Sequence, residues 1–188
     1  MLENEFHAKK TKHFEERSRI ISTHHKNFWP LMFINNPNIE LFINLGAKAD
    51  KVQKADLEMC QAIRAVQCEV KNTDDKFCTR ITLQFAANDY FENSEIMRSV
   101  TREEIMRPEE GMEDSKYEVE VTELKPKAKL KQLIDAYKKA ENDSAVPGFV
   151  DETQIPFVVM FTDKNNLLMN DFVQSMKSIH NDPIGDLK

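Results

Sequence analysis

Glycine is scarce in this chain, four residues among 188. A phosphate-cradling loop needs several glycines so that backbone can approach the ligand closely, and no GxxxxGKS or GxGxxG sequence occurs. A GxSxG elbow and an HExxH zinc helix are missing as well. The three cysteines, Cys60, Cys68 and Cys78, are odd in number and none stands in a CxxC pair. Neither a disulfide framework nor a zinc ribbon is expected, and the thiols read as reduced. Met1 to Lys12 is polar and charged, unlike the apolar core of a signal peptide. No run reaches the roughly 18 apolar residues of a membrane span. His24 and His25 are adjacent, and on a helix neighbours point about 100° apart, so the two rings do not converge on one metal. These absences set the first expectations: no catalytic residues, no metal, no cofactor, no membrane, not an enzyme.

What is present is a globular composition, 40% apolar and 31% charged, with net charge −6. Roughly Glu5 to Phe28 lacks proline and glycine, and Phe14, Ile21 and Phe28 recur every seven residues, with Ser18, His25 and Met32 on the adjoining positions. That spacing predicts a helix with one narrow apolar stripe, which must be covered by the domain behind it or by another copy. Phe28-Trp29-Pro30 is expected to break or bend it. Asn36-Pro37 reads as an N-cap and first helical residue of a short helix burying Ile39, Phe42 and Ile43 or Leu45 and ended by Gly46. Asp56 to Ala62 reads as another helix. Val66, Cys68 and Val70, then Phe77, Ile81, Leu83 and Phe85, alternate with polar residues, as in a hairpin with one wet face. Ile96–Met106 and Tyr117–Leu124 predict two more strands. Leu130, Leu133, Ile134 and Tyr137 stand at helical spacing among lysines, read as the wet side of a helix or an import signal. Ile155–Phe161 predicts a buried run, Asn142–Gly148 a loop, and Asn170 the cap of a last helix carrying Phe172, Met176 and Ile179. The expected class is α+β: helices, a four-stranded antiparallel sheet, then helices packed on it. The expected division is a helix over 1–30 and a globular domain over 31–188.

Charge is unevenly distributed. Between Glu92 and Glu123 stand eleven acids against four bases, a net of −7, so the rest of the chain is close to neutral. One-sign charge on strands and loops either keeps a surface solvated or attracts basic partners. It disfavours nucleic acid, whose phosphates require a positive face.

Several motifs, in their order, resemble one family. Arg19-Ile20-Ile21 leading to Phe28-Trp29 and Asn35-Asn36-Pro37 is similar to the entry into the globular domain of nucleosome assembly protein / SET family histone chaperones. ITLQFAANDYFEN (Ile81–Asn93) resembles that family's strand and turn, FVVMFTD (Phe157–Asp163) its FTD run, and His180-Asn181-Asp182-Pro183 its tryptophan-proline element. The departures are Met160 and His180 where the family has tryptophans, a first helix of only about 35 Å, and no acidic tail before Lys188. The resemblance implies a dimerisation-type helix and an earmuff-shaped domain that binds core histones, the outer dimer or the central tetramer of the nucleosome, in a protein shuttling between nucleus and cytoplasm. Carried onto this chain, it implies histone-binding residues Glu92, Glu95, Glu103, Glu104, Glu118, Glu120, Thr162 and Asp163, and a homodimer seam of Phe14, Ile21, His25 and Phe28. The alternative it leaves is a regulatory adaptor or inhibitor that binds a chromatin enzyme or phosphatase.

Overall fold

The structure is a computed structural model that describes residues 2–40, 42–43, 50–73, 76–107, 112–143 and 155–181. Four helices come first: α1 Leu2–His24, α2 Phe28–Asn35, α3 Pro37–Glu40 and α4 Asp50–Gln61. Strands β1 Ile63–Asn72, β2 Lys76–Phe85, β3 Glu95–Arg107 and β4 Met112–Val121 follow, then α5 Ala128–Asp143, α6 Phe157–Thr162 and α7 Leu168–Asn181. The strands form one antiparallel sheet in the order β1-β2-β3-β4. The class is α+β, as the alternation of periods in the sequence predicts. Among the described residues no helix is long and apolar enough to cross a membrane.

Register assigns every strand residue to a face, because side chains alternate. The inner face carries Val66 and Cys68 of β1, Ile81 and Leu83 of β2, Ile96, Arg98 and Val100 of β3, and Val119 and Val121 of β4. Against it lies α7, whose Met169, Phe172, Val173, Met176 and Ile179 are buried at three- and four-residue spacing. Phe172 packs edge-on against Phe42 and Phe161, with ring centroids 5.4 and 5.7 Å apart. Burying each such ring stabilises the fold by roughly 1.5–3 kcal/mol. α2 adds Trp29, Met32 and Phe33 to the same core.

The apolar run after Pro156 is a helix although it is rich in β-branched residues. Side chains meet groups at both of its ends, one from another helix and one from its own last residue. The Asp56 carboxylate of α4, fully buried, accepts a hydrogen bond from the Phe157 amide at 3.0 Å, and Thr162 donates its hydroxyl back to Val158 O at 2.8 Å. Asp56→Ala removes this cap from a buried site and is expected to cost about 1–2 kcal/mol in denaturant unfolding; an unchanged midpoint would remove the capping role.

Four sequence expectations are corrected. α1 stops at His24, four residues before the Phe28-Trp29-Pro30 expected to break it, and those residues open α2 instead. Pro30 sits in the first turn, where its missing N–H leaves no bond unmade. α4 begins at Asp50 rather than Asp56. β3 and β4 run to Arg107 and from Met112, so much of the expected loop is strand, and β4 stops at Val121. There Thr122 Oγ1 takes the Met97 amide at 2.9 Å and ends the ladder. Asn170 does not cap α7 but lies inside it, and Asn166 Oδ1 meets the Met169 amide at 3.3 Å near its start. Asn36 does act as the cap, its Oδ1 accepting from the Asn38 amide at 2.9 Å. Leu45, Gly46, the Asn142–Gly148 loop beyond Asp143, and Asp182-Pro183 lie outside the described residues.

Candidate functional site

Arg98 organises one side of the molecule. It projects from the inner face of β3 between Ile96 and Val100 and is fully buried. Its guanidinium uses all five donors. Nη1 donates to Phe161 O at 3.1 Å and Asp163 O at 2.8 Å. Nη2 donates to Asn166 O at 2.6 Å and Asn170 Oδ1 at 2.8 Å, and Nε reaches the same Oδ1 at 3.3 Å. A planar fork can bind four oxygens at fixed angles; an ammonium cannot. Burial lowers the Arg98 pKa, opposed by the charge of Asp163. The cation therefore pins the loop between α6 and α7 to the sheet. At the end of α6 the Thr162 hydroxyl is held by its own helix. The exposed Asp163 carboxylate accepts from the Asn165 amide at 3.0 Å.

The predicted acids fall on the other side. Glu95, Glu103, Glu118 and Glu120 share the outer face of the sheet with Glu69. The same face carries Lys71, Lys76, Arg80 and Lys116, so its charge is mixed rather than uniformly negative. Arg80 stands between Glu69 and Glu120, at 3.8 and 3.6 Å, and Lys76 lies 3.4 Å from Glu103. Gln84 donates to Glu95 at 3.3 Å. Glu118 is exposed and has no ion-pair partner among the described residues. Glu104 pairs with Ser115 on the backbone, and its side chain lies outside the described residues. The eight predicted residues are thus not one surface. Four share the outer face, while Thr162 and Asp163 lie beyond the inner face, where Arg98 holds the backbone on either side of Thr162.

Glu92 belongs to the NDYFEN turn, whose polar residues mostly hold the chain together. Asn88 Oδ1 accepts from the Tyr90 and Phe91 amides at 2.9 and 3.1 Å. Asn93 donates to Glu123 O at 3.0 Å and accepts from the Lys125 amide at 2.8 Å. The Tyr90 hydroxyl donates to Glu58 at 2.7 Å, and Phe91 packs edge-on against Phe85 with centroids 5.0 Å apart. This Asx-type turn clamps β2 to the segment entering α5. Glu92 itself is exposed.

The predicted seam on α1 meets the chain's own domain. Ile21 is buried in the core, and Phe14 sits edge-on to His180 of α7, centroids 5.0 Å apart. Trp29 lies parallel to that imidazole, with ring centroids 6.4 Å apart. Arg17 donates to the His180 carbonyl and to Asn181 O at 3.5 Å, placing a cation at the C-terminus of α7. Burial, with the nearby Arg17 charge, lowers the His180 pKa to about 4. Phe28 is partly buried against Trp29, and His25 is exposed.

A groove of about 300 Å³ opens between the inner face and α7. Phe77 and Tyr117, 36% and 52% exposed, line it with Arg102, Asp171 and Lys177. Arg102 lies over the Phe77 ring, 5.5 Å from its centroid. No group of three or more potential metal ligands occurs among the described residues. Burial raises the Cys60 thiol and pushes Cys68 up to about 12, so both stay protonated and poorly nucleophilic at neutral pH.

No family model matches this chain, and the comparison with curated proteins found no match. Among solved structures, the crystal structure of Ccp1 is 18% identical, with a TM-score of 0.48 over 93% of this chain and 88% of that one. The crystal structure of a Ccp1 mutant is also 18% identical, with a TM-score of 0.46 over 96% and 91%. Likeness at this level supports no assignment of function.

Proposed function

We propose that this protein is a histone chaperone of the nucleosome assembly protein / SET type, binding core histones without chemistry. The observation that supports the reading most directly is the placement of Glu95, Glu103, Glu118 and Glu120 on one solvent face of a rigid sheet. Glu118 and Glu120 stand about 7 Å apart along β4. A basic partner meeting that face exchanges intramolecular contacts, such as those of Arg80 and Lys76, for its own lysines and arginines. Each exposed pair contributes about 0–1 kcal/mol, so affinity must come from many acting together and must fall as salt rises. The paired helices of the family, carried over to this chain, would use Ile20 and Leu31, 45% and 56% exposed, because Phe14 and Ile21 already pack on the protein's own α7 and core. An earmuff-like domain belongs to the same proposal.

The test is a titration with the outer histone dimer and the central histone tetramer across a salt series. Tight, salt-weakened binding is expected. Glu95, Glu103, Glu118 and Glu120 all changed to Lys should weaken it about a hundredfold at low salt, about 3 kcal/mol. Normal binding by that variant would overturn the acidic-surface mechanism. Absence of binding at low salt would favour the adaptor reading, for which the exposed Phe77 and Tyr117 beside the groove are the supporting observation.

A further inference from the structure

Strand β4 closes one side of the sheet, and its outward edge has no strand partner among the described residues. The direction of its backbone groups follows from one bond. The Thr122 amide donates to Met97 O at 3.0 Å. In an antiparallel ladder, bonded residues alternate with unbonded ones. In unbroken register, Glu120, Glu118 and Lys116 therefore turn their N–H and C=O groups toward β3. Tyr117, Val119 and Val121 turn theirs outward.

Side chains alternate in the same period. Glu118 and Glu120 project from the outer face, while Tyr117 and Val119 project from the inner one, Tyr117 beside the groove. In the register that sets Val119 opposite Val119, a second copy of β4 laid antiparallel on this edge would put Glu118 against Glu120, which opposes self-pairing. An extended segment with lysine or arginine at alternate positions and apolar residues between them matches both faces. We propose that β4 is a strand-addition site, taking such a basic extended segment as a fifth strand. Main-chain bonds to Tyr117, Val119 and Val121 would give affinity, and Glu118 and Glu120 would select the basic side chains. This deepens the chaperone reading, since it rests on a basic partner and names how part of that partner is held.

The experiment uses the full chain and a fluorescent ten-residue peptide alternating lysine and valine. Val119→Pro is the informative variant. It leaves every acidic side chain in place and removes an N–H that does not bond β3, a position where an edge strand tolerates proline. Binding at least tenfold weaker is expected, with a circular dichroism spectrum like that of the parent. Glu118→Lys with Glu120→Lys should weaken binding similarly. As a check independent of the variant's folding, the peptide is N-methylated at alternate residues in each of the two registers. One register should bind at least tenfold more weakly and the other within about twofold of the parent peptide. Equal effects in both registers, or unchanged binding by a folded Val119→Pro protein, would overturn the proposal. Histone titrations separate the two ideas. Histone binding that survives Val119→Pro leaves the chaperone reading standing and removes strand addition. Peptide binding sensitive to Val119→Pro, without histone binding, does the reverse.

Discussion

Replacing Arg98 by Met is expected to lower the unfolding free energy by roughly 3–5 kcal/mol. Methionine fills much of the volume, so packing loss alone is small. The cost comes from the acceptors left behind: Phe161 O, Asp163 O, Asn166 O and Asn170 Oδ1 all lose their donor at once. Each buried acceptor stripped of its partner costs about 1–3 kcal/mol, and the terms are not additive because the loop can partly turn to water. Arg98→Lys should recover only part of this, because three donors on one nitrogen cannot span oxygens spread over nine residues of chain. Denaturant unfolding gives the magnitude. Amide exchange gives the location: protection should fall first between Asp163 and Asn170, while β1 and β2 keep theirs until global unfolding. A loss below 1 kcal/mol, or uniform loss of protection, would show that Arg98 does not hold this loop.

The second large effect concerns acid. His180 has a folded pKa of about 4 against an ordinary 6.5, because its ring is buried, in contact with Phe14 and Trp29, beside the Arg17 cation. Its Nδ1 is buried without a hydrogen-bond partner among the described residues, so a proton there would gain a charge and no acceptor. Between these two values the unfolded chain binds the proton and the folded one does not, so stability rises with pH through this window. The stability is fully present above pH 6.5 and is lost as pH falls through 4. From pH 7 to pH 5 the loss from this group is about 2 kcal/mol, at about 1.4 kcal/mol per pKa unit. His180→Phe keeps an aromatic ring beside Phe14 and Trp29 and removes the titration. Its unfolding midpoint should be nearly flat from pH 7 to pH 5.5, where the parent's declines. Parallel curves for the two proteins would mean that His180 is not the group responsible. The contact nearest the proton is the docking of α1 on α7, so in the parent that contact should loosen first.

Much of this was legible in the residues, and the reasons differ from element to element. The period-two alternation along Val66–Val70 and Phe77–Phe85 identified β1 and β2, because a half-buried strand needs it. Helical spacing at Leu130–Tyr137 and Phe172–Ile179 identified α5 and α7 for the corresponding reason. The boundaries were less legible. Met112–Lys116 reads as acidic loop because charge is common in loops, yet an exposed hairpin tolerates the same charge. The run after Pro156 has no period to read, since it is buried all round. Arg98 carried a signal that charge counting hides: between Ile96 and Val100 it has core parity, and a charge at core parity demands buried acceptors. The acceptors come from the loop about seventy residues later, and one strand's alternation does not contain that distance.

The sequence by itself determined the class, the four antiparallel strands, the main buried residues and the concentration of acid between Glu92 and Glu123. Local periodicity and charge order are properties of the chain, and they survive whatever the elements pack against. Only the tertiary structure decided that the predicted binding residues separate onto two sides of the sheet. It alone showed that basic residues interrupt the acidic face, that Phe14 and Ile21 pack against the chain's own domain, and that one edge of β4 turns outward. Those outcomes depend on strand register and on which helix covers which face. Both are settled by the sum of many burial energies over the whole molecule, a sum that no single stretch of sequence contains.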